Sequence, residues 1–181
     1  MKNVTIWGIV LFTLMSFTGC VSGDSDLCGK NEQGGGANIQ EGDALPTFSV
    51  KLNDQSIITN NSLDGKVSVI LLFTVVCPDC QKQIPITERI YDDYKDNDDV
   101  VVFGISRAEG ESTVGKFWNE HQYAMPYSAQ DKWDIYNLFA KSIVPRIYVS
   151  SKDRIVRRVY TDKPLANYDE LKVLIEELLN E

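Results

Sequence analysis

One short stretch constrains this chain more than any other. Val67-Ser68-Val69-Ile70-Leu71-Leu72-Phe73 is an almost unbroken apolar run rich in β-branched residues, the pattern of a central strand covered on both faces. Cys77-Pro78-Asp79-Cys80 comes shortly after it. That motif opens a stretch from 78 to about 95 that reads as a helix, with Ile84, Tyr91 and Tyr94 among its apolar positions and Pro85 as a kink. A cysteine at the mouth of a helix faces unpaired backbone N–H groups and the positive end of the helix dipole, and both favour thiolate over thiol. Cys80 falls nearly one turn further on, beside Cys77, where the two sulfurs can close a small disulfide. Pro78 suits the first turn, because its missing N–H has no partner to lose there. Cys77, nearer the exposed end, is the expected attacking sulfur, and Cys80 the expected buried resolving sulfur.

The rest of the chain supplies the sheet and helices that such a motif needs. Thr47 to Leu52 alternates polar and apolar residues, and Ile57-Ile58-Thr59 reads as a short return strand after a turn at Asn53-Asp54-Gln55. Val100 to Ile105 is a second buried strand, and 112–122 and 132–140 read as helices. Arg146 to Val149 and Arg154 to Val159 flank a turn and read as a hairpin. Leu171, Leu174, Ile175, Leu178 and Leu179 follow helical spacing, with Asn167 and Glu170 as a cap pair. The order describes an α/β fold, a mixed sheet with helices on both faces.

The N-terminus reads differently. Lys2 precedes the uncharged apolar run Val4 to Phe17, which is too short for a confident membrane span and has the flanks of a secretory segment. Phe17-Thr18-Gly19-Cys20 resembles a bacterial lipobox, with Phe17 where Leu is usual. Residues 1–19 are therefore expected to be a lipoprotein signal peptide, and Cys20 the lipidated first residue of the mature chain. The alternatives are plain secretion or an uncleaved anchor. Val21 carries no acidic retention signal, which leans towards the outer membrane. Residues 20–45 are rich in glycine and polar residues and lack an apolar period, so they are expected to form a flexible tether spanning roughly 25–30 Å for about 25 residues. Cys28 lies within it, as an incidental thiol or one deliverable to the head. A compartment outside the cytoplasm allows disulfides to persist. With 18 basic and 26 acidic residues the net charge is −8, so a nucleic-acid partner is not expected.

From about Leu45 onward the chain resembles the thioredoxin superfamily, and within it the membrane-tethered, extracytoplasmic thiol-disulfide oxidoreductases of the TlpA and ResA type. Pro46-Thr47-Phe48, Leu63-Asp64-Gly65-Lys66-Val67, Phe73, the Cys77–Cys80 motif, Pro85 and Val144-Pro145 occur in the family's order. The resemblance implies a three-layer thioredoxin-like domain over 46–181 with an N-terminal β-hairpin and a helical insert between Cys77 and Pro145. It implies a cis Pro145 that holds the Val144 backbone beside Cys77, where an extended client segment can pair as an added strand. It also implies disulfide-bearing proteins as substrates, a membrane thiol-electron carrier as the source of electrons, and no cofactor.

Departures from that pattern matter. Val76 stands where the family commonly has Trp. Leu71 and Gln83 stand where a buried carboxylate usually assists the second cysteine. Asp79 would oppose thiolate formation if it faced the sulfurs, and Arg146 is read either as an offsetting positive charge or as a surface residue at a strand start. Other chemistries compete. Zinc would need two more ligands, from Cys28 and His121 at best, and a purely structural disulfide would constrain little. Thr74 with Cys77 and Arg146 resembles a peroxiredoxin core, although Ile70 replaces its proline. Copper delivery of the Sco type would use a histidine, and His121 is the sole one. Lys152, Arg154, Arg157 and Arg158 form a basic cluster, either a solvated face or a docking patch.

Overall fold

The computed structural model describes residues 38–181. The expected signal segment 1–19, the lipidation site Cys20 and Cys28 lie outside the described residues.

Two short strands, β1 (Ser49–Lys51) and β2 (Ile57–Thr59), pair antiparallel in a sheet of their own, the expected N-terminal hairpin. Val50 points inward while its neighbours stay exposed. The chain then enters β3 (Val67–Phe73), where every residue is buried, as the apolar run required. Helix α1 (Pro78–Tyr94) buries Cys80, Gln83, Ile84, Thr87, Ile90 and Tyr94, a stripe at three- and four-residue spacing, and contains Pro85. Strand β4 (Val100–Ser106) runs parallel to β3, with Val67 opposite Val100 and Phe73 opposite Ser106.

Helix α2 (Glu111–His121) ends on Gln122 in the left-handed region and buries Val114 and Trp118. The Trp118 indole N–H donates to the Met125 carbonyl, and its ring packs on Phe73. A two-residue strand, β5 (Tyr127–Ser128), extends the sheet beside β4. The helix expected over 132–140 is only the single turn α3 (Tyr136–Phe139). No side chain caps it, Ala140 is extended, and residues 131–134 are exposed, so nothing rewards a longer helix.

Strands β6 (Arg146–Ser150) and β7 (Val156–Tyr160) form the expected hairpin and complete the sheet order β5-β4-β3-β6-β7, with β6 antiparallel to both β3 and β7. Helix α4 (Tyr168–Leu179) closes the fold against α1. The Asn167 side chain accepts the Glu170 N–H at 2.8 Å, the expected cap.

Residues 38–45, expected as part of the tether, are bonded to the folded domain. Asn38 and Ile39 N–H both donate to the Phe139 carbonyl at 3.0 Å, Val156 exchanges backbone bonds with Gly42 and Asp43, and Ala44 bridges Ile155. Leu45 is buried. This stretch is held by pairing to the edge of the sheet, which leaves no periodic signature in its own sequence. The basic cluster is also engaged within the chain. Lys152 donates to the Leu179 carbonyl, and Arg154 bonds Asn61 and pairs with Asp64. Arg157 pairs with Glu181, and Arg158 with Glu41.

Candidate active site

Parallel pairing of β3 and β4 brings the C-terminal ends of both strands to one edge of the sheet, the edge where open α/β folds place their sites. Two loops and a helix mouth meet there. The first loop is Thr74-Val75-Val76, which leaves β3 and turns into α1. The Cys77 N–H reaches the Thr74 carbonyl at 3.4 Å, and the Gln81 side chain reaches back to the Val75 carbonyl at 2.8 Å. Cys77 is the N-cap residue of α1 and Pro78 its first helical residue, as the motif required. Val76 is 75% exposed, so an apolar side chain stands in solvent next to Cys77.

Cys77 and Cys80 are both free thiols and hydrogen-bonded to one another. Cys77 is half-buried, whereas Cys80 is completely buried. Burial pushes the Cys80 thiol far above its ordinary range; the bond to Cys77 adds to the rise, while a Thr74 backbone hydrogen bond and the positive charge of Arg107 oppose it. The two sulfurs are therefore unlike, one reachable and one sequestered.

The opposite wall is the loop before β6. Val144-Pro145 is a cis peptide, as the resemblance implied, and the Val144 carbonyl lies 3.6 Å from Cys77 Sγ, which donates to it. Ile143 adopts φ of +66°, a left-handed conformation rare for a β-branched residue, at a cost of about 1–3 kcal/mol. The Tyr136 hydroxyl donates to the Ile143 carbonyl at 2.7 Å and helps hold that conformation.

Of the two readings of Arg146, that of a surface residue is overturned. Its side chain is 1% exposed, its Nε bonds the Ser142 carbonyl at 3.3 Å, and it hydrogen-bonds Tyr148. A guanidinium stays charged, so in a buried position it turns towards carbonyl and hydroxyl oxygens. Asp79 is paired with Lys82 at 2.7 Å in a half-exposed bridge, which answers its negative charge at the helix mouth. Leu71 is core, and the Gln83 amide donates to the Ala166 carbonyl, so neither position supplies a proton acceptor to Cys80. The His121 ring packs on Phe117 and Tyr123, with Nδ1 against the Phe117 carbonyl.

Two charged residues enter that the sequence did not single out. Glu109 accepts the Val75 N–H at 2.6 Å and so ties the loop after β4 to the loop after β3. Arg107 follows Ser106, the register partner of Phe73, and its N–H donates to the Phe73 carbonyl. Its guanidinium lies 4.6 Å from the Trp133 ring centre and 5.1 Å from that of Tyr136. Their position just past a buried parallel strand was a usable signal, because that is where site loops emerge.

A family model described as the AhpC/TSA family matches residues 41–159, most of the chain. The chain belongs to the AhpC/TSA family. As a member of that family it shares its fold with solved thioredoxin-like structures. It superposes on the solution structure of a candidate protein disulfide isomerase from Bacteroides thetaiotaomicron with a TM-score of 0.73 and 26% identity, covering 81% of this chain and 94% of that one. A thiol:disulfide interchange protein of the thioredoxin family from Chlorobium tepidum matches with a TM-score of 0.66 and 17% identity, covering 77% of this chain and 98% of that one. Among characterised sequences, the thiol-disulfide oxidoreductase ResA of Oceanobacillus iheyensis is 25% identical over 111 residues, 59% of this chain and 57% of the relative. The match thus spans a little over half the length of that relative.

Proposed function

We propose that this chain is an extracytoplasmic thiol-disulfide oxidoreductase that exchanges disulfides with partner proteins through Cys77 and Cys80, acting chiefly as a reductant. The observation that carries the reading is the pairing of unlike sulfurs at one helix mouth. Cys77 is reachable and lies against the Val144 carbonyl, while Cys80 is buried and bonded to it. Cys77 thiolate attacks a client disulfide, forming a Cys77–client bond and expelling the other client sulfur as thiolate. Cys80 then attacks Cys77, closes the Cys77–Cys80 disulfide and releases the second client thiol. Two electrons pass to the client, and a membrane thiol-electron carrier restores the dithiol. Sulfur chemistry suffices, with no cofactor or metal. The Val144-Pro145 loop beside Cys77 offers the client backbone an extended segment to pair with, and the exposed Val76 offers it an apolar contact.

The names borne by the Oceanobacillus and Bacteroides relatives support the same chemistry. The lipobox-like Phe17-Thr18-Gly19-Cys20 supports an envelope location, lipid-anchored at Cys20 and facing the periplasm, with the outer membrane favoured. The peroxidase alternative has weaker support, because the Arg146 guanidinium it would use is engaged by Ser142 and Tyr148. A redox titration with Cys77→Ser and Cys80→Ser controls tests the direction. A potential near about −250 mV marks a reductant, and one near about −120 mV an oxidant. Peroxide consumption much faster than disulfide reduction would support the alternative.

A further inference from the structure

We propose that Glu109 and Gln81 act together as positioning residues for Cys77, by pinning the two peptide groups on either side of Val75 in the turn that carries that sulfur. The inference rests on the reading of Cys77 and Cys80 given above and adds two residues to it.

The turn is poorly closed by its own backbone. The hydrogen bond across it, from the Cys77 N–H to the Thr74 carbonyl, is 3.4 Å long, beyond the usual range of about 2.7–3.2 Å. Val75 is buried but Val76 is exposed, so packing holds only one of the two residues between. Two side chains supply the rest. The Glu109 carboxylate accepts the Val75 N–H at 2.6 Å. That N–H belongs to the same rigid peptide plane as the Thr74 carbonyl, so fixing its direction also fixes the carbonyl that receives Cys77. The Gln81 amide donates to the Val75 carbonyl at 2.8 Å, which fixes the next peptide plane. Gln81 also donates its backbone N–H to the Cys77 carbonyl at 3.0 Å, so one residue of the helix grips both Val75 and the nucleophile.

Both arms of this clamp stand on fixed backbone. The Ser106 hydroxyl donates to the Glu109 carbonyl at 2.6 Å and accepts the Gln130 N–H at 2.8 Å, and Glu109 forms a β-bridge with Gln130. Gln81 belongs to α1. The acceptor on the Val75 N–H is a carboxylate, and hydrogen bonds to charged groups are roughly twice as strong as neutral ones. A flip of the Thr74–Val75 peptide would turn the Thr74 carbonyl away from the Cys77 N–H and set a carbonyl oxygen against the Glu109 carboxylate. With both planes held, Cys77 keeps its extended N-cap conformation, φ −81° and ψ 121°, and its Sγ lies 3.6 Å from the Val144 carbonyl. A reacting group misplaced by about 1 Å can lose about 100-fold in rate, so a turn this weakly closed needs its outside supports.

Ellman's reagent reads the attack in the full reduced protein, with loss of the free Cys77 thiol mapped by mass after acid quenching. Cys77 thiolate forms a bond to one reagent sulfur, and thionitrobenzoate leaves with the electron pair. Glu109→Ala is expected to slow this loss about tenfold, and Glu109→Gln, which keeps an acceptor oxygen, to stay within about twofold of the wild type. The sign separates the bond from the charge, because deleting a negative charge close to a thiolate favours the thiolate and would speed the reaction. Gln81→Leu, at an exposed position, is expected to slow it about fivefold and keeps the test available if Glu109→Ala fails to fold. Because both side chains hold one turn, the double variant is expected to be about tenfold slower than the wild type rather than about fiftyfold. Faster reaction in Glu109→Ala, equal slowing in Glu109→Ala and Glu109→Gln, an unchanged rate in Gln81→Leu, or full multiplication in the double variant would each overturn the inference. A free Cys77 thiol that persists in the wild type while the reagent is consumed would instead overturn the dithiol reading itself.

Discussion

The two walls of the site are built by different physics. One wall is the segment from β3 through the Cys77 turn into α1, a buried strand, a three-residue turn and a helix whose mouth carries the sulfurs. Local rules suffice for it: β-branched residues in the strand, proline at the first helical position, an apolar stripe along the helix. The other wall, residues 122–145, has two residues of strand and one turn of helix, and its shape comes from contacts far apart in sequence. Phe139 packs on Phe48 and Tyr148, its carbonyl receives Asn38, Ile39 and Tyr148, and Tyr136 reaches Ile143. A site of this kind needs both. The first wall makes the reactive pair, and the second decides what stands against it.

If the second wall depends on tertiary packing, its core residue should be its weakest point. Phe139→Ala removes a fully buried ring and is expected to cost about 3–5 kcal/mol in chemical denaturation. A loss below about 1 kcal/mol would mean that the insert folds apart from the sheet. The first wall is sharpened by pH. The folded-state pKa of Cys80 is raised, so the stability it contributes is fully present below the unfolded thiol's pKa of about 8.5 and is lost as pH rises towards the folded value. The reduced protein is therefore expected to lose up to about 1.4 kcal/mol per pH unit more than Cys80→Ser does above pH about 8.5. Parallel curves for the two proteins would show that burial does not hold the Cys80 proton. Tyr136→Phe, which deletes one hydroxyl and leaves the Ile143 carbonyl without that donor, is expected to cost about 1 kcal/mol and to slow mixed-disulfide formation. No change in either would separate Tyr136 from the geometry of the Val144 loop.

The same contrast explains what could be read from the sequence. The central strands, α1 and its cysteines, the β6–β7 hairpin and the capped α4 each carry a periodicity or a terminal signal of their own, and each is where the pattern placed it. The cis Val144-Pro145 bond came from resemblance rather than from any local pattern. Residues 38–45 looked like tether because pairing to a sheet edge needs no periodic side chains. Arg146 looked like a surface residue because nothing in a sequence shows that a cation is turned inward onto carbonyl oxygens. Arg107 and Glu109 directly follow a buried strand but carry no further signal in the sequence, because their partners, two aromatic rings and one backbone N–H, become neighbours only when the sheet is assembled.

The central claim is that Cys77 begins the exchange and Cys80 finishes it. Incubating the Cys80→Ser protein with a disulfide-bearing client, then resolving the products without reductant, tests this directly. The expected result is a stable mixed disulfide between the client and Cys77, absent from the wild type and from Cys77→Ser. Formation of that adduct in Cys77→Ser, or none in Cys80→Ser, would contradict the account.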